Sequence, residues 1–413
     1  MSLLHNLFHS DPAKTDDGVA REPRLLLVGE DFGWIPAEAA LADRRVLRVN
    51  TKEEALHALA TEPYDGLIAG LREVGKNLAL LNAASASHPT LACGLRADLA
   101  KMGKIAVGHP IIQPTESLAV MDDQVRTMFA TAFWSADPAF GALREHIKNF
   151  PALPSLYLQI SEALKSEDTS LEKLADLITR EPTVSAKLLQ VVNSPVFARA
   201  QRVTSIRDAT SFLGFQRVRA LVLATSLFGQ CDASKCASFS AQNFENHSLQ
   251  IATWAGQIAT GETGNGDLAE MAFTAGLLHQ FGVLLLAANL PEGYDQMLRT
   301  AGEQKISLAR VERQTYGVTH AELAGYIFAS WSIPFPILNA VGFYAQPSHS
   351  EDRTFTPLSA VHMATAIDSL NAVGVPDYDA DYVDRLRLHP RIDHWARKLI
   401  GKPWPKPEPS GGR

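Results

Sequence analysis

The stretch Leu171-Glu172-Lys173-Leu174-Ala175-Asp176-Leu177-Ile178 sets Leu171, Leu174, Ala175 and Ile178 at i, i+3, i+4 and i+7. That spacing aligns an apolar stripe along one face of an α-helix, and the stripe needs a partner surface. Thr169 to Glu172 has the Ser/Thr-x-x-Glu form of a capping box, so the helix is expected to start there. Pro182 ends it and can open the next, whose core face is Leu188, Leu189 and Val192 and whose break is Asn193-Ser194-Pro195. Ile206, Ala209, Thr210 and Leu213 repeat the spacing, with Gly214 where a left-handed cap would sit. From Pro151 this period holds for roughly two hundred residues, which predicts an all-α bundle. Thr356-Pro357 marks the start of a late helix in that series.

Upstream the pattern changes. Short apolar runs occur at Leu25–Val28, Val46–Val49, Gly66–Ala69, Thr90–Cys93 and Ile105–Val107, the last followed by Ile111-Ile112. Such runs alternating with helical periods predict a five-stranded parallel sheet with crossover helices. Thr51 to Glu54 is a capping box for one crossover helix, with Ala55, Leu56 and Leu59 as its apolar face, and Pro63-Tyr64-Asp65-Gly66 stops it.

The chain has 413 residues, enough for two or three domains. Hydrophobic residues make up 46% and charged residues 20%, a globular composition. A net charge of −7 supplies no general attraction to nucleic-acid backbones or anionic lipid, so neither partner is expected. Three cysteines, Cys93, Cys231 and Cys236, form neither an even set nor a zinc-type pair, which argues for a reducing compartment. The apolar run Val283 to Leu290 is too short to span a bilayer, and the start lacks the basic flank and continuous apolar core of a secretory signal. A cytoplasmic protein is expected.

The order of features in the second half resembles the HDOD family, the HD-related output domain of bacterial signalling proteins. The residues that carry the resemblance are Leu153-Pro154, Ile178 to Pro182, Leu188-Leu189, Asn193-Ser194, Ser205-Ile206, Ala209 and Leu213-Gly214. It continues through Ala272 to His279 and Gly317-Val318-Thr319-His320 to Trp331-Ser332-Ile333-Pro334, covering roughly residues 150 to 370. The resemblance implies an all-α bundle related to HD phosphohydrolases. Those enzymes hold divalent metal with histidines and carboxylates, which lowers the pKa of bound water. By this likeness His247 stands for the first histidine and His279 for the histidine of the HD pair, but Gln280 replaces the aspartate. An amide is a neutral, weaker ligand and cannot take a proton from metal-bound water. The final aspartate aligns with Thr365, with Asp368 one turn further. The paired histidines and Gly-Tyr-Pro signature of related cyclic-di-GMP phosphodiesterases are replaced by Phe343-Tyr344-Ala345-Gln346-Pro347. His247, His279, Gln280 and His320 therefore read as vestigial positions, and no metal or other cofactor is expected. The plain alternatives are a core role for His279, a helix-capping turn from Thr319 to Glu322 around His320, and a helix-surface site for His247.

The five-strand order of the first half resembles a response-regulator receiver domain, flavodoxin-like in fold. A working receiver needs an acidic pair after the first strand, a phosphoacceptor aspartate after the third and a lysine after the fifth. Here Glu30 and Asp31 keep acidic charge with shifted spacing, Gly70 stands at the acceptor position and Gln113 replaces the lysine. Glycine has no nucleophile, so the domain reads as a pseudo-receiver.

The expected organisation is a flexible start (1–22), a pseudo-receiver (23–133), a linker (134–150), an HDOD domain (151–372), a C-terminal helical extension (373–401) and a disordered tail (402–413) with four prolines and three basic residues. The expected function is non-catalytic signal transduction through other signalling proteins or a homo-oligomer. The competing expectation is a metal-dependent phosphohydrolase acting on a nucleotide. Arg207, Arg217 and Arg219 near Gly214 do not amount to a groove reader. The stripe Leu213, Phe215, Val218, Leu221 and Val222 is expected in the core rather than at an interface.

Overall fold

Consecutive β-branched and leucine side chains at Leu25 to Val28 are all buried, as a central parallel strand covered on both faces requires. In the computed structural model, which describes residues 24–29, 32, 40–41, 43–61, 64–70, 90–93, 111–112, 117–164, 166, 169–197, 202–331 and 333–405, the chain divides into two units. One is Met1–Asp137 with Ser332–Phe335, the other Pro138–Trp331 with Pro336–Arg413.

The first unit holds strands β1 (Arg24–Val28), β2 (Ala40–Leu41), β3 (Arg44–Val49), β4 (Gly66–Gly70), β5 (Thr90–Cys93) and β6 (Ile111–Ile112) in the order β2-β3-β1-β4-β5-β6. All pairings are parallel except β2 with β3, an antiparallel edge that the sequence pattern did not announce. Helix α1 (Lys52–Thr61) begins with the expected box: the Glu54 amide donates to Thr51 Oγ1 at 3.2 Å and the Thr51 amide to Glu54 Oε2 at 3.1 Å. Its inward residues are Ala55 and Ala58, whereas Leu56 is 46% exposed, contrary to the expected face. Helix α2 (Leu118–Ala136) lays Met121, Val125, Met128 and Phe129 against Leu25, Leu27, Val46 and Ile68. The expected run 105–107 and the positions Glu30, Asp31 and Gln113 lie outside the described residues. Gly70 is the last residue of β4, paired with Cys93.

The second unit is built of helices joined by loops, with no strand among its described residues. Its helices are α3 (Pro138–His146), α4 (Ser155–Ala163), α5 (Leu171–Thr179), α6 (Pro182–Val192), α7 (Ile206–Phe228), α8 (Ala241–Thr263), α9 (Gly266–Leu278), α10 (Phe281–Asn289), α11 (Pro291–Gln304), α12 (Leu308–Tyr316), α13 (His320–Ser330), α14 (Phe335–Phe343), α15 (Pro357–Val373), α16 (Ala380–Arg385) and α17 (His389–Ile400). Helix α8 is the axis, packed on α9 and α15, while α7 packs on α5, α6 and α9.

Two local expectations shift. The cap of α5 is Ser170, whose hydroxyl accepts from the Lys173 amide, and the Thr169 hydroxyl instead donates to the Ala163 carbonyl. Gly214 does not end α7. It has φ 77° and ψ 169°, a kink open to glycine after which the helix resumes to Phe228. Leu213, Val218, Leu221 and Val222 are buried, in agreement with a core stripe. Arg217 is held by Glu270 at 3.1 Å and lies over the Phe273 ring, so this guanidinium is already committed within the domain.

The span Gly266–Asn289 is long and apolar enough to cross a membrane, but 78% of its apolar window is buried inside the structure. It is divided into α9 and α10 at His279-Gln280, so its apolar side chains serve the core of this unit.

Candidate functional site

A cavity of about 600 Å³ opens in the helical unit, with walls from α8, α9, α12, α13, α15 and the segments around Tyr344 and Tyr378. His247, His279, Gln280 and His320 all line it, so the structure brings the four motif positions together.

His247 sits in the second turn of α8 and is half-buried, with its side chain 30% exposed. Its Nδ1 lies 3.0 Å from Gln280 Oε1 and its Nε2 3.1 Å from Asp368 Oδ2. Gln250, one turn along α8, donates to the other Asp368 oxygen at 2.9 Å. The partner from α15 is therefore Asp368, not Thr365 as expected from the sequence. Thr365 turns its hydroxyl back to the His362 carbonyl at 2.9 Å, the usual fate of a mid-helix threonine.

His279 terminates α9 and is fully buried, in keeping with a core histidine. Its Nδ1 lies 2.7 Å from the Gly276 carbonyl, while Nε2 has no protein partner. Burial, reinforced by the nearby His247, pushes its pKa well below the ordinary histidine value, so the ring is neutral. The His247 ring lies 5.4 Å away and the Tyr344 ring 5.0 Å away.

His320 opens α13 beneath the expected Thr319–Glu322 capping box. It is 2% exposed and belongs to a buried chain of polar contacts. Glu312 Oε2 receives both the His320 amide at 2.9 Å and its Nδ1 at 2.6 Å, and Tyr294 donates its hydroxyl to Glu312 Oε1. Tyr344 closes the other end with its hydroxyl 2.5 Å from His320 Nε2. Nδ1–H is directed at the carboxyl, and in the neutral ring Nε2 is then the acceptor and the phenol the donor. Burial raises the pKa of Tyr344, which keeps that donor protonated. Close approach of α10 makes the arrangement possible: a Cβ on Gly282 would stand 2.0 Å from the His320 carbonyl oxygen.

A fourth histidine, His362 on α15, escaped sequence reasoning. Its Nδ1 lies 2.8 Å from the Tyr344 carbonyl and its Nε2 accepts from the Asp379 amide at 3.0 Å. Burial lowers its pKa. Glu312 and Tyr294 were missed for the same reason: each is a single polar residue on an otherwise ordinary helix face. A buried position for Glu312 beside Val311 was the one available hint.

The divalent metal implied by the HD resemblance does not fit this donor set. Among the described residues no three His, Cys, Asp or Glu side chains are grouped to hold an ion. His247 is bonded directly to Asp368 and Gln280, and Gln280 offers a neutral oxygen where a carboxylate is needed. The arrangement offers a recess with defined donors, acceptors and aromatic walls, features suited to binding a small molecule.

Residues 150–347 match the family model of the HDOD domain. An uncharacterised protein of Treponema pallidum (strain Nichols) is 23% identical over 223 residues, which cover 54% of this chain and 43% of that protein. The chain thus spans less than half the length of this curated relative. A protein of Marinobacter aquaeolei VT8, provisionally assigned to signal transduction, is 18% identical with 77% of each chain covered and a TM-score of 0.53, which shows a shared fold. A protein of Shewanella amazonensis SB2B, provisionally called a phosphohydrolase, is 23% identical over 63% of this chain and 93% of its own, with a TM-score of 0.49.

Proposed function

We propose that the chain, whose residues 150–347 match the family model of the HDOD domain, is a non-catalytic bacterial signalling regulator that acts by binding other signalling proteins or a second copy of itself. The observation that carries this reading is the closed set His247, Gln280 and Asp368. The atoms that would face a metal face each other instead, and the one carboxylate needed as ligand and proton acceptor is an amide. A scaffold that keeps its packing without its reactive groups can still serve recognition.

In this reading the first unit is a pseudo-receiver. Its parallel strands run β3-β1-β4-β5-β6, the 2-1-3-4-5 order of flavodoxin-like sheets, which supports that assignment. Gly70 ends the strand after which a phosphoacceptor would stand, and it has no side chain to phosphorylate. A place inside the cell follows from the same reading.

The test uses the full chain. Metal content, hydrolysis of nucleoside phosphates and cyclic dinucleotides with added Mn²⁺, and labelling by acetyl phosphate are all expected to stay at background. Cross-linking in the native cell, followed by rebinding of each captured protein in purified form, is expected to give saturable complexes. Stoichiometric Mn or Fe with hydrolysis, both lost in His279→Ala, would overturn the reading in favour of a phosphohydrolase.

A further inference from the structure

His279 sets a defined chemical demand at the deep end of the cavity. Its Nδ1 is 2.7 Å from the Gly276 carbonyl, an acceptor, so Nδ1 carries the proton and Nε2 presents a bare lone pair. The residue is fully exposed to neither solvent nor a protein donor: it is 0% accessible and Nε2 is without a partner. The groups beside it are engaged elsewhere. His247 is directed at Gln280 and Asp368, and the Tyr344 hydroxyl at His320. A buried acceptor of this kind needs a donor from whatever enters the recess.

Charge narrows the class of occupant. Arg313 gives three of its five N–H donors to Glu322 at 2.8 Å, the Gly317 carbonyl at 2.6 Å and Gln346 Oε1 at 3.2 Å, and its charge is paired with Glu322. Asp368 and Asp379 add negative charge to the lining, while Arg310 and Asp377, of opposite sign, are both exposed. Nothing at depth favours an anion. The rings of His247 and Tyr344 lie beside the His279 ring and line the same cavity, and about 600 Å³ is the size of a small-molecule pocket.

We infer that the cavity binds a small uncharged nitrogen heterocycle whose ring N–H donates to His279 Nε2. The inference rests on the reading of this recess as non-catalytic, and it makes the domain ligand-responsive. A phosphate-bearing ligand would instead need free cationic donors at the deep end.

The experiment titrates the full chain, labelled with ¹⁵N-histidine, and follows the imidazole nitrogens. Benzimidazole is the probe, benzoxazole the isostere lacking the N–H, and inorganic phosphate the anion control. The expected result is movement of the His279 Nε2 resonance by benzimidazole with affinity at least about tenfold above that for benzoxazole, the worth of one good hydrogen bond. The preference should vanish in His279→Phe, and phosphate should leave the resonance unmoved. Equal binding of the two heterocycles, a phosphate response, or no response to any probe would overturn the inference. Because hydrolysis and metal content are measured separately, failure here leaves the non-catalytic reading standing.

Discussion

The Tyr344 hydroxyl lies 2.5 Å from His320 Nε2, and this contact joins the cavity wall to a buried acid. On the far side of the imidazole stands Glu312, fully buried and shared with Tyr294. Tyr344→Phe removes the donor and leaves Nε2 unsatisfied in the core. A loss of about 1–3 kcal/mol is expected in urea denaturation, with an unchanged m-value.

Gly282 permits α10 to lie against the first turn of α13. A methyl group there would meet the His320 carbonyl oxygen at 2.0 Å, closer than atoms can approach. Gly282→Ala is expected to destabilise by at least about 1–3 kcal/mol as the helices part. The His320 imidazole resonances should shift with it, whereas Gly302→Ala, at a position with open space, should leave both unaffected.

Asp368 and Thr365 exchange the roles that alignment along α15 suggested. Asp368→Asn weakens the contact with the half-buried His247 and is expected to cost about 1 kcal/mol. Thr365→Val removes only a hydroxyl bonded within its own helix and should cost less. Thermal denaturation of both variants distinguishes them.

Stability should fall as pH is lowered from 7 to 5. His279 and His362 have folded-state pKa values below the ordinary 6.5, chiefly through burial. The unfolded chain then binds more protons below pH 6.5, so the stabilisation present above that value is lost as acid is added. Each buried neutral histidine contributes a slope of up to about 1.4 kcal/mol per pH unit. Denaturation at several pH values should show a shallower slope for His362→Gln.

Burial pushes the Cys231 thiol up to about 11. Only a minute fraction is thiolate at pH 8, so alkylation by iodoacetamide should be far slower than for a free cysteine and should accelerate on unfolding. Peptide mass spectrometry over a time course reads this directly.

The helical unit was legible because its stripes obey a 3.6 period and its punctuation is explicit at Pro182, Asn193 and Thr356. The same rules erred by one residue at Ser170 and misjudged Gly214, since a positive-φ glycine can kink a helix as well as close it. His247, His279, Gln280 and His320 were singled out through the resemblance to the HDOD family, and the structure lines one cavity with all four. Asp368 was displaced by a turn because alignment counts residues while the contact depends on how α15 is rotated against α8. Glu312, Tyr294 and His362 left no local mark. Their roles arise from contacts between distant helices, which no periodicity encodes.

Glu312 grips His320 twice, through the ring and through the main-chain amide. Parting them would strand a carboxyl group in the interior, so α12 and the first turn of α13 are fastened into one rigid piece. Ahead of α12, Lys305 caps α11 and turns the chain through a left-handed bend into it.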